Sequence, residues 1–205
     1  MIHTLDNLPV RETINSRHSI RKFKQEEVSK EQLNELFELV RLSPSAWNLQ
    51  PWRFHVITDD TMQKELQDAA YGQQQITSAP AVIVVASDME DVVAHIADTV
   101  HPGLSPERKQ EEIENLTGIF NNMSEDERGQ WGLNQTNIAL GILLVAARGL
   151  GLSTVPMLGF DQDKVKQMLK LPTHVKFAGM VPIGFADEDG YPHYRHGLEK
   201  IVTFH

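Results

Sequence analysis

The chain has 205 residues, 40% of them hydrophobic, a formal charge of −9 and no cysteine, which is typical of one folded domain spanning 1–205. The negative charge disfavours nucleic-acid binding, and the lack of cysteine excludes disulfides, cysteine zinc sites and iron–sulfur clusters. Because the N-terminus has no basic segment before an apolar run and no apolar run reaches about twenty residues, we expect a cytoplasmic protein without a membrane segment.

Helices and strands alternate in the first half of the sequence. A short helix is predicted over Val10–Ser16, and a second begins after Ser29, with Gln32 as its capping-box partner. The compositions of segments 53–58 and 81–86 predict strands, with a helix between them that is capped by Asp59 or Asp60. Segment 81–86 is apolar throughout, so we expect it at the centre of the sheet, covered on both faces.

Residues 90–128 have the least apolar character, and predict two or three helices interrupted at 101–103, with starts at Ser105 and Ser124. A mobile flap over a site and a plain surface segment both fit this stretch. A helix over 125–148 follows, apolar on nearly all sides in its second half and therefore expected to be central.

The last elements are predicted strands over 152–157 and 177–185, with a helix capped by Asp161 between them. Pro182 cannot donate to a strand ladder, so we expect it outside the middle of the sheet or beside a bulge. Helices separate the strands and dominate, which predicts an α+β fold with one sheet between helical layers.

Two polar motifs stand near the N-terminus. Arg17-His18-Ser19-Ile20-Arg21 gathers guanidinium groups and small donors, which suit a phosphate. The segment from Ser43 to Trp52 presents hydroxyl and amide groups between two prolines. Taken alone, the first fits a solvated basic surface at a helix end, and the polar residues of the second fit ordinary bonds to loop backbone. Together they predict a ligand site anchored by an anion.

Both motifs, in this order and at this spacing, resemble the signature of the FMN-dependent nitroreductase family. The resemblance extends over nearly the whole chain through segment 79–85, Gly149-Leu150-Gly151, segment 156–161 and a tail arginine. It implies an α+β domain whose central, mostly antiparallel sheet is flanked by helices. It also implies an intertwined homodimer with two FMN sites at the interface.

The resemblance also implies the cofactor-binding residues. They are Arg17, His18, Ser19, Arg21, Pro44, Ser45, Asn48, Gln73, Pro156, Met157, Leu158, Gly159 and Arg195. The three arginines would hold the phosphate, and the loop from Pro44 would reach a flavin across the dimer interface. Gly159 would allow the backbone to approach flavin N5, and Leu158 stands where many relatives have glutamate, so a main-chain donor is kept and a carboxylate is not.

The implied activity is ping-pong, two-electron hydride transfer through FMN N5, from NADH or NADPH to a nitroaromatic, a quinone or a similar planar acceptor. Trp47 or Phe120 would offer a stacking surface for that small aromatic molecule. No side chain is expected to act as nucleophile or metal ligand, since solvated residues are the favoured interpretation of His95, Asp98 and His101.

Two alternatives remain from the sequence. One is a specialised relative that dehalogenates aromatic rings, oxidises heterocycles or consumes the flavin. The other is a flavin-binding module without turnover. All flavin-based interpretations share one structural expectation, namely that the guanidinium groups of Arg17, Arg21 and Arg195 converge on one pocket.

Overall fold

The computed structural model describes residues 9–205. The α-helices are α1 (Val10–Ser16), α2 (Lys30–Val40), α3 (Asp60–Ala69), α4 (Gln75–Ser78), α5 (Met89–Ala94), α6 (Pro106–Asn121), α7 (Glu125–Gly149), α8 (Gln162–Leu169) and α9 (Leu198–Ile201). The strands are β1 (Trp52–Ile57), β2 (Ala81–Ser87), β3 (Ser153–Thr154) and β4 (Lys176–Gly184), and short 3-10 helices span Ala46–Asn48 and Ile96–Thr99.

The four strands form one antiparallel sheet in the order β1-β2-β4-β3. Every residue of β2 is buried, as its continuous apolar sequence predicts for a central strand. Alternate side chains of β2 enter two different apolar clusters. Val82 and Val84 pack towards α3 and α8, whereas Ile83 and Val85 pack towards α2 and α7. The predicted α+β class, with a sheet between helical layers, is therefore confirmed.

Helix starts follow the predicted capping residues. Ser29 with Gln32, and Ser124 with Glu127, form complete capping boxes, and Asp59 rather than Asp60 caps α3. Asp161 accepts a hydrogen bond at the start of α8.

Helix α7 is central, as predicted, but it buries only one face. The buried stripe includes Thr136, Ala139 and Leu143, which pack against the sheet, while Ile138 and Ile142 on the other face are 42% and 39% exposed. Helix α7 is therefore apolar on all sides because one face packs in the core and the other, also apolar, is left open in the single chain.

Two strand predictions differ from the structure. The strand predicted over 152–157 shortens to Ser153–Thr154, and pairing resumes only as a bridge between Met157 and Met180 beyond Pro156. Pro182 lies within β4 in regular register, and the register shift falls between Val85 and Ala86 instead. The carbonyl of Pro182 accepts from Val155, so its nitrogen faces the short edge ladder, where the lost bond matters least.

Residues 90–128 have a core of their own. Met89, Ile96, Leu116 and Phe120 form a third apolar cluster together with Leu49 from the loop before β1. This cluster buries more apolar surface than the low apolar content of residues 90–128 predicts. That the segment is a mobile flap stays a prediction. Within residues 9–205, no helix is long and apolar enough to cross a membrane.

Candidate functional site

A cavity of about 180 Å³, hereafter the cationic cavity, lies between the N-terminal motif and the C-terminal tail. Its lining residues are Arg17, His18, Ser19, Arg21, Tyr191, Pro192, His193 and Arg195. Helix α1 ends at Ser16 and so places Arg17 at the cavity wall. Ser19 forms a bridge with Thr154, and the Ile20 N–H donates to the Thr154 carbonyl at 3.1 Å, which fixes the motif beside β3.

Hydrogen bonds hold the C-terminal tail against the same motif. His18 Nδ1 lies 2.8 Å from the Tyr191 carbonyl oxygen, and His193 Nε2 lies 3.0 Å from that of Asn15. Gly190 has a φ of +72°, and a Cβ there would lie 2.9 Å from the Cβ of His18. Glycine therefore allows the tail to turn close to the motif and bring Arg195 into the cavity.

The three arginines of the cavity have no carboxylate partner in the part of the chain that the structure describes. The pKa of Arg17 is lowered, first by burial and then by the nearby positive charge of Arg195. Arg21 donates to the Ser19 carbonyl at 3.3 Å and lies 5.7 Å from the centre of the Tyr191 ring. Guanidinium groups gathered without an ion-pair partner can form a site for an anion, and their geometry matches the oxygens of a phosphate.

Segment 156–159 follows Thr154, which forms a bridge with Ser19 of the cationic cavity. Met157 and Met180 exchange backbone hydrogen bonds of 2.8 and 2.9 Å, and the side chain of Leu158 is 71% exposed. The Gln73 side-chain amide donates to the Gly159 carbonyl at 2.8 Å. A Cβ at Gly159 would make only an ordinary contact with Gln73, so packing inside this chain does not require glycine there.

The loop from Pro44 to Gln50 is held in a strained conformation. Trp47, Asn48 and Gln50 have φ values of +51°, +57° and +47°, in the left-handed region that side chains rarely adopt. Ser45 Oγ accepts from the Gln50 N–H at 3.1 Å, and Asn48 Nδ2 donates to the Thr99 carbonyl at 3.3 Å. The loop therefore presents its polar groups from a fixed backbone.

Aromatic packing supports the same loop from outside. Trp47 stacks on Trp131 of α7 with 5.7 Å between ring centres, and its ring meets Phe120 edge to face at 6.2 Å. The Ala46 N–H donates to Gln135 Oε1 at 3.0 Å. Trp131 and Gln135 did not stand out in the sequence, because they are placed here only by the packing of α7 on the loop.

The predicted site residues thus fall into three groups in one chain. Arg17, His18, Ser19, Arg21 and Arg195 share the cationic cavity, and Gln73 with Pro156, Met157, Leu158 and Gly159 lie along the adjoining segment. Pro44, Ser45 and Asn48 belong to a separate loop, and no hydrogen bond within residues 9–205 joins that loop to either of the other segments.

Sequence reasoning missed three residues of the cationic cavity, Tyr191, Pro192 and His193. A signal was present in the sequence, since His193 precedes Arg195 by two positions in an extended tail. Residues two apart in an extended chain lie on the same side, so both can face one cavity.

Comparisons with known proteins identify the family of the chain. The model of the nitroreductase family matches residues 14–185. An NADH dehydrogenase of Thermus thermophilus is 38% identical over 98% of both chains, and an oxygen-insensitive NADPH nitroreductase of Helicobacter pylori is 31% identical over 81% of both. The fold also matches a nitroreductase-type protein of Exiguobacterium sibiricum solved in complex with FMN, with a TM-score of 0.89, 28% identity and coverage of 98% of this chain and 100% of that one. The resemblance seen in the two motifs is confirmed, and the chain belongs to the nitroreductase family.

Proposed function

We propose that this protein is an FMN-dependent oxidoreductase that uses NADH or NADPH to reduce nitroaromatics, quinones or similar planar acceptors. The observation that supports this most directly is the cationic cavity, in which Arg17, Arg21 and Arg195 meet without a carboxylate partner among the described residues. The names of the two curated relatives and the FMN complex of the structural relative support the same cofactor and reductant.

The residues around the cavity fit FMN. Three guanidinium groups suit its phosphate, while His18, Ser19 and Gln73 suit the ribityl chain and the polar edge of the ring. Packing within this chain does not require glycine at position 159, so we infer that a ligand passes close to the backbone there.

When bound, FMN accepts hydride from the nicotinamide and delivers it to the acceptor. The protein would hold and orient the cofactor by its phosphate. The positive charge of the three arginines stabilises a negatively charged ligand in the cavity. No side chain is required as a nucleophile, and among residues 9–205 no group of three potential ligands could hold a metal ion.

We further infer that the protein acts as a homodimer. The open face of α7 exposes Ile138 and Ile142, and the tail exposes Leu198, Ile201 and Phe204, the last at 93%. Apolar surface of this extent favours burial against a partner. A second copy seated there would bring its loop of Pro44, Ser45 and Asn48 to the flavin, which explains why that loop is separate from the cavity in one chain.

The test is anaerobic reduction of the purified protein. Protein as isolated, or after addition of FMN, should show the flavin absorbance bands, and NADH or NADPH should bleach them. A panel of nitroaromatics and quinones should then restore the absorbance. Protein that neither contains nor binds FMN would contradict the proposal.

The same experiment separates the alternatives. A flavin-binding module would bind FMN but would not consume NADH or NADPH steadily with any acceptor. A specialised relative would turn over, and analysis of its products would reveal dehalogenation, heterocycle oxidation or loss of the flavin.

A further inference from the structure

Two histidines stack inside the cationic cavity. The rings of His18 and His193 lie 4.3 Å apart between centres with an angle of 16° between their planes. Both rings line the cavity that also contains the three arginines. Imidazole is the side chain that changes its charge near neutral pH, so this pair adds a variable charge to a set of permanent ones.

Backbone carbonyls fix which nitrogen of each ring bears a hydrogen. His18 Nδ1 lies 2.8 Å from the carbonyl oxygen of Tyr191, and His193 Nε2 lies 3.0 Å from that of Asn15. A carbonyl oxygen only accepts, so each of these nitrogens donates. The remaining nitrogens, His18 Nε2 and His193 Nδ1, are acceptors in the neutral rings and become donors only on protonation.

A phosphate oxygen also only accepts at the pH where FMN is a dianion. A neutral His18 or His193 therefore has no hydrogen left to offer it, whereas a protonated ring has one. Binding of the phosphate through either free nitrogen must be accompanied by uptake of a proton.

Charges of both signs lie around the pair: the guanidinium groups disfavour an imidazolium, whereas the carboxylates of Glu188 and Asp189 favour one. Arg17, Arg21 and Arg195 line the cavity, and a further positive charge beside them is unfavourable without an anion. Arg148, Glu188 and Asp189 line a neighbouring cavity together with His18, and Glu188 accepts from the Arg21 backbone N–H at 2.6 Å. A bound dianion would lie next to the guanidinium groups and remove the opposition to an imidazolium.

We propose that His193, together with His18, is a further phosphate-binding residue, and that the stacked pair takes up a proton as the phosphate of FMN binds. The inference depends on the proposed function, since FMN is the ligand. A positive charge on one ring would repel a second one on a ring only 4.3 Å away, so uptake reaches at most about one proton. FMN affinity consequently falls as pH rises through the imidazole range, by up to about tenfold per pH unit.

Calorimetric titration with FMN at pH 7.5, in two buffers of different ionisation enthalpy, measures the proton uptake. At this pH the FMN phosphate is already mostly a dianion, because its second ionisation lies near pH 6, so its own titration contributes little. Binding of FMN should be accompanied by uptake of protons, and binding of riboflavin, which lacks the phosphate, should not.

The double variant His18→Asn with His193→Gln is the sharpest test. The amide of Asn reaches the position of Nδ1 and that of Gln the position of Nε2, so the bonds to Tyr191 and Asn15 can be kept without a titrating group. Proton uptake should disappear and the dissociation constant of FMN should become independent of pH.

The variant His193→Lys supplies a permanent cation. It should bind FMN tightly, with at most the proton uptake that is due to His18. His101→Gln, an exposed histidine outside the cavity, should behave as the wild type.

Equal proton uptake by the double variant and the wild type would overturn the inference, as would equal uptake with riboflavin and FMN. Thermal unfolding of each variant shows whether the fold is kept. Wild-type protein that binds FMN without proton uptake contradicts this inference alone, whereas wild-type protein that binds no FMN contradicts the proposed function as well.

Discussion

Arg17 shows how a single residue can be shaped by a ligand rather than by the fold. It lies in a partly buried cavity beside Arg195, where burial and like charge both lower its pKa, and no carboxylate within residues 9–205 forms an ion pair with it. Such an arrangement costs stability unless an anion is bound. Arg17 and Arg21 meet because their motif is local, and the resemblance to the family implied that Arg195 joins them, whereas the histidine beside them follows from how the tail folds back.

Replacing Arg17 and Arg21 with alanine should release FMN without harming the fold. Each lost charge-assisted bond costs about 1.5–3 kcal/mol of binding free energy, so each substitution should raise the dissociation constant roughly tenfold or more. Quenching of flavin fluorescence measures the affinity, and thermal unfolding of the flavin-free protein should not shift downwards. Arg41→Ala is a suitable control, since Arg41 is exposed on the surface and pairs with Glu38. Unchanged flavin retention would remove the phosphate assignment.

His55 should make the protein less stable in acid. Its Nε2 is buried without a hydrogen-bond partner among residues 9–205, and burial lowers its pKa below the unfolded value of about 6.5. Below that pH the unfolded chain binds more protons at this residue than the folded one, so the free energy of unfolding falls as pH falls. Urea denaturation of the wild type and of His55→Leu, at pH 7.5 and at pH 5, measures how much free energy of unfolding each protein loses between the two pH values. The variant should lose less stability, and an identical loss would exclude His55 as the cause.

Elements differ in how far their sequence determines them. The starts of α2, α3, α7 and α8 were predictable, because a capping residue and its partner lie within one turn. The shortened β3 and the paired Pro182 were not, because a strand depends on which partner lies on each side. The left-handed backbone of Trp47, Asn48 and Gln50 was also beyond prediction, since contacts with Thr99, Gln135 and Trp131 impose it.

Helix α7 offers a test of close packing with a matched control. A Cβ at Gly132 would lie 3.0 Å from both Met89 Cβ and Ser87 Oγ, whereas a Cβ at Gly118 on α6 would meet nothing within 4 Å. Gly132→Ala should therefore lower the free energy of unfolding by about 1–3 kcal/mol through overpacking. Gly118→Ala should raise it by up to about 1 kcal/mol through helix propensity. Chemical denaturation measures both, and two changes of the same sign would show that the α7 contact has room to relax.

In the whole molecule, the proposed site is built from segments that are far apart in the sequence. The bridge between Ser19 and Thr154 joins the N-terminal motif to the segment that leads to Gly159, and the tail returns to close the cavity. The resemblance to the family anticipated these segments, and the family match confirms that recognition. The Pro44 loop is proposed to reach a flavin in a second copy, and the open face of α7 is proposed to pack against that copy. Neither role can be fulfilled within a single chain.

Charges on the open face of α7 should separate assembly from folding. Ile138→Glu with Ile142→Glu places two carboxylates where we propose the second copy to pack, and should convert a dimer into monomers. Analytical ultracentrifugation gives the mass, and FMN retention should fall although all three arginines remain. Thr61→Glu adds charge at an exposed position of α3 and should leave the dimer intact. A variant that remains dimeric would place the interface elsewhere.

The stacking of Trp47 on Trp131 gives this protein a built-in optical probe. Two indole rings 5.7 Å apart couple their electronic transitions, so the pair should produce an exciton signal in circular dichroism. The only other tryptophan, Trp52, is buried in β1. Any ligand or partner that displaces the loop before β1 would separate the rings and abolish that signal, allowing the movement to be timed by stopped flow without a label.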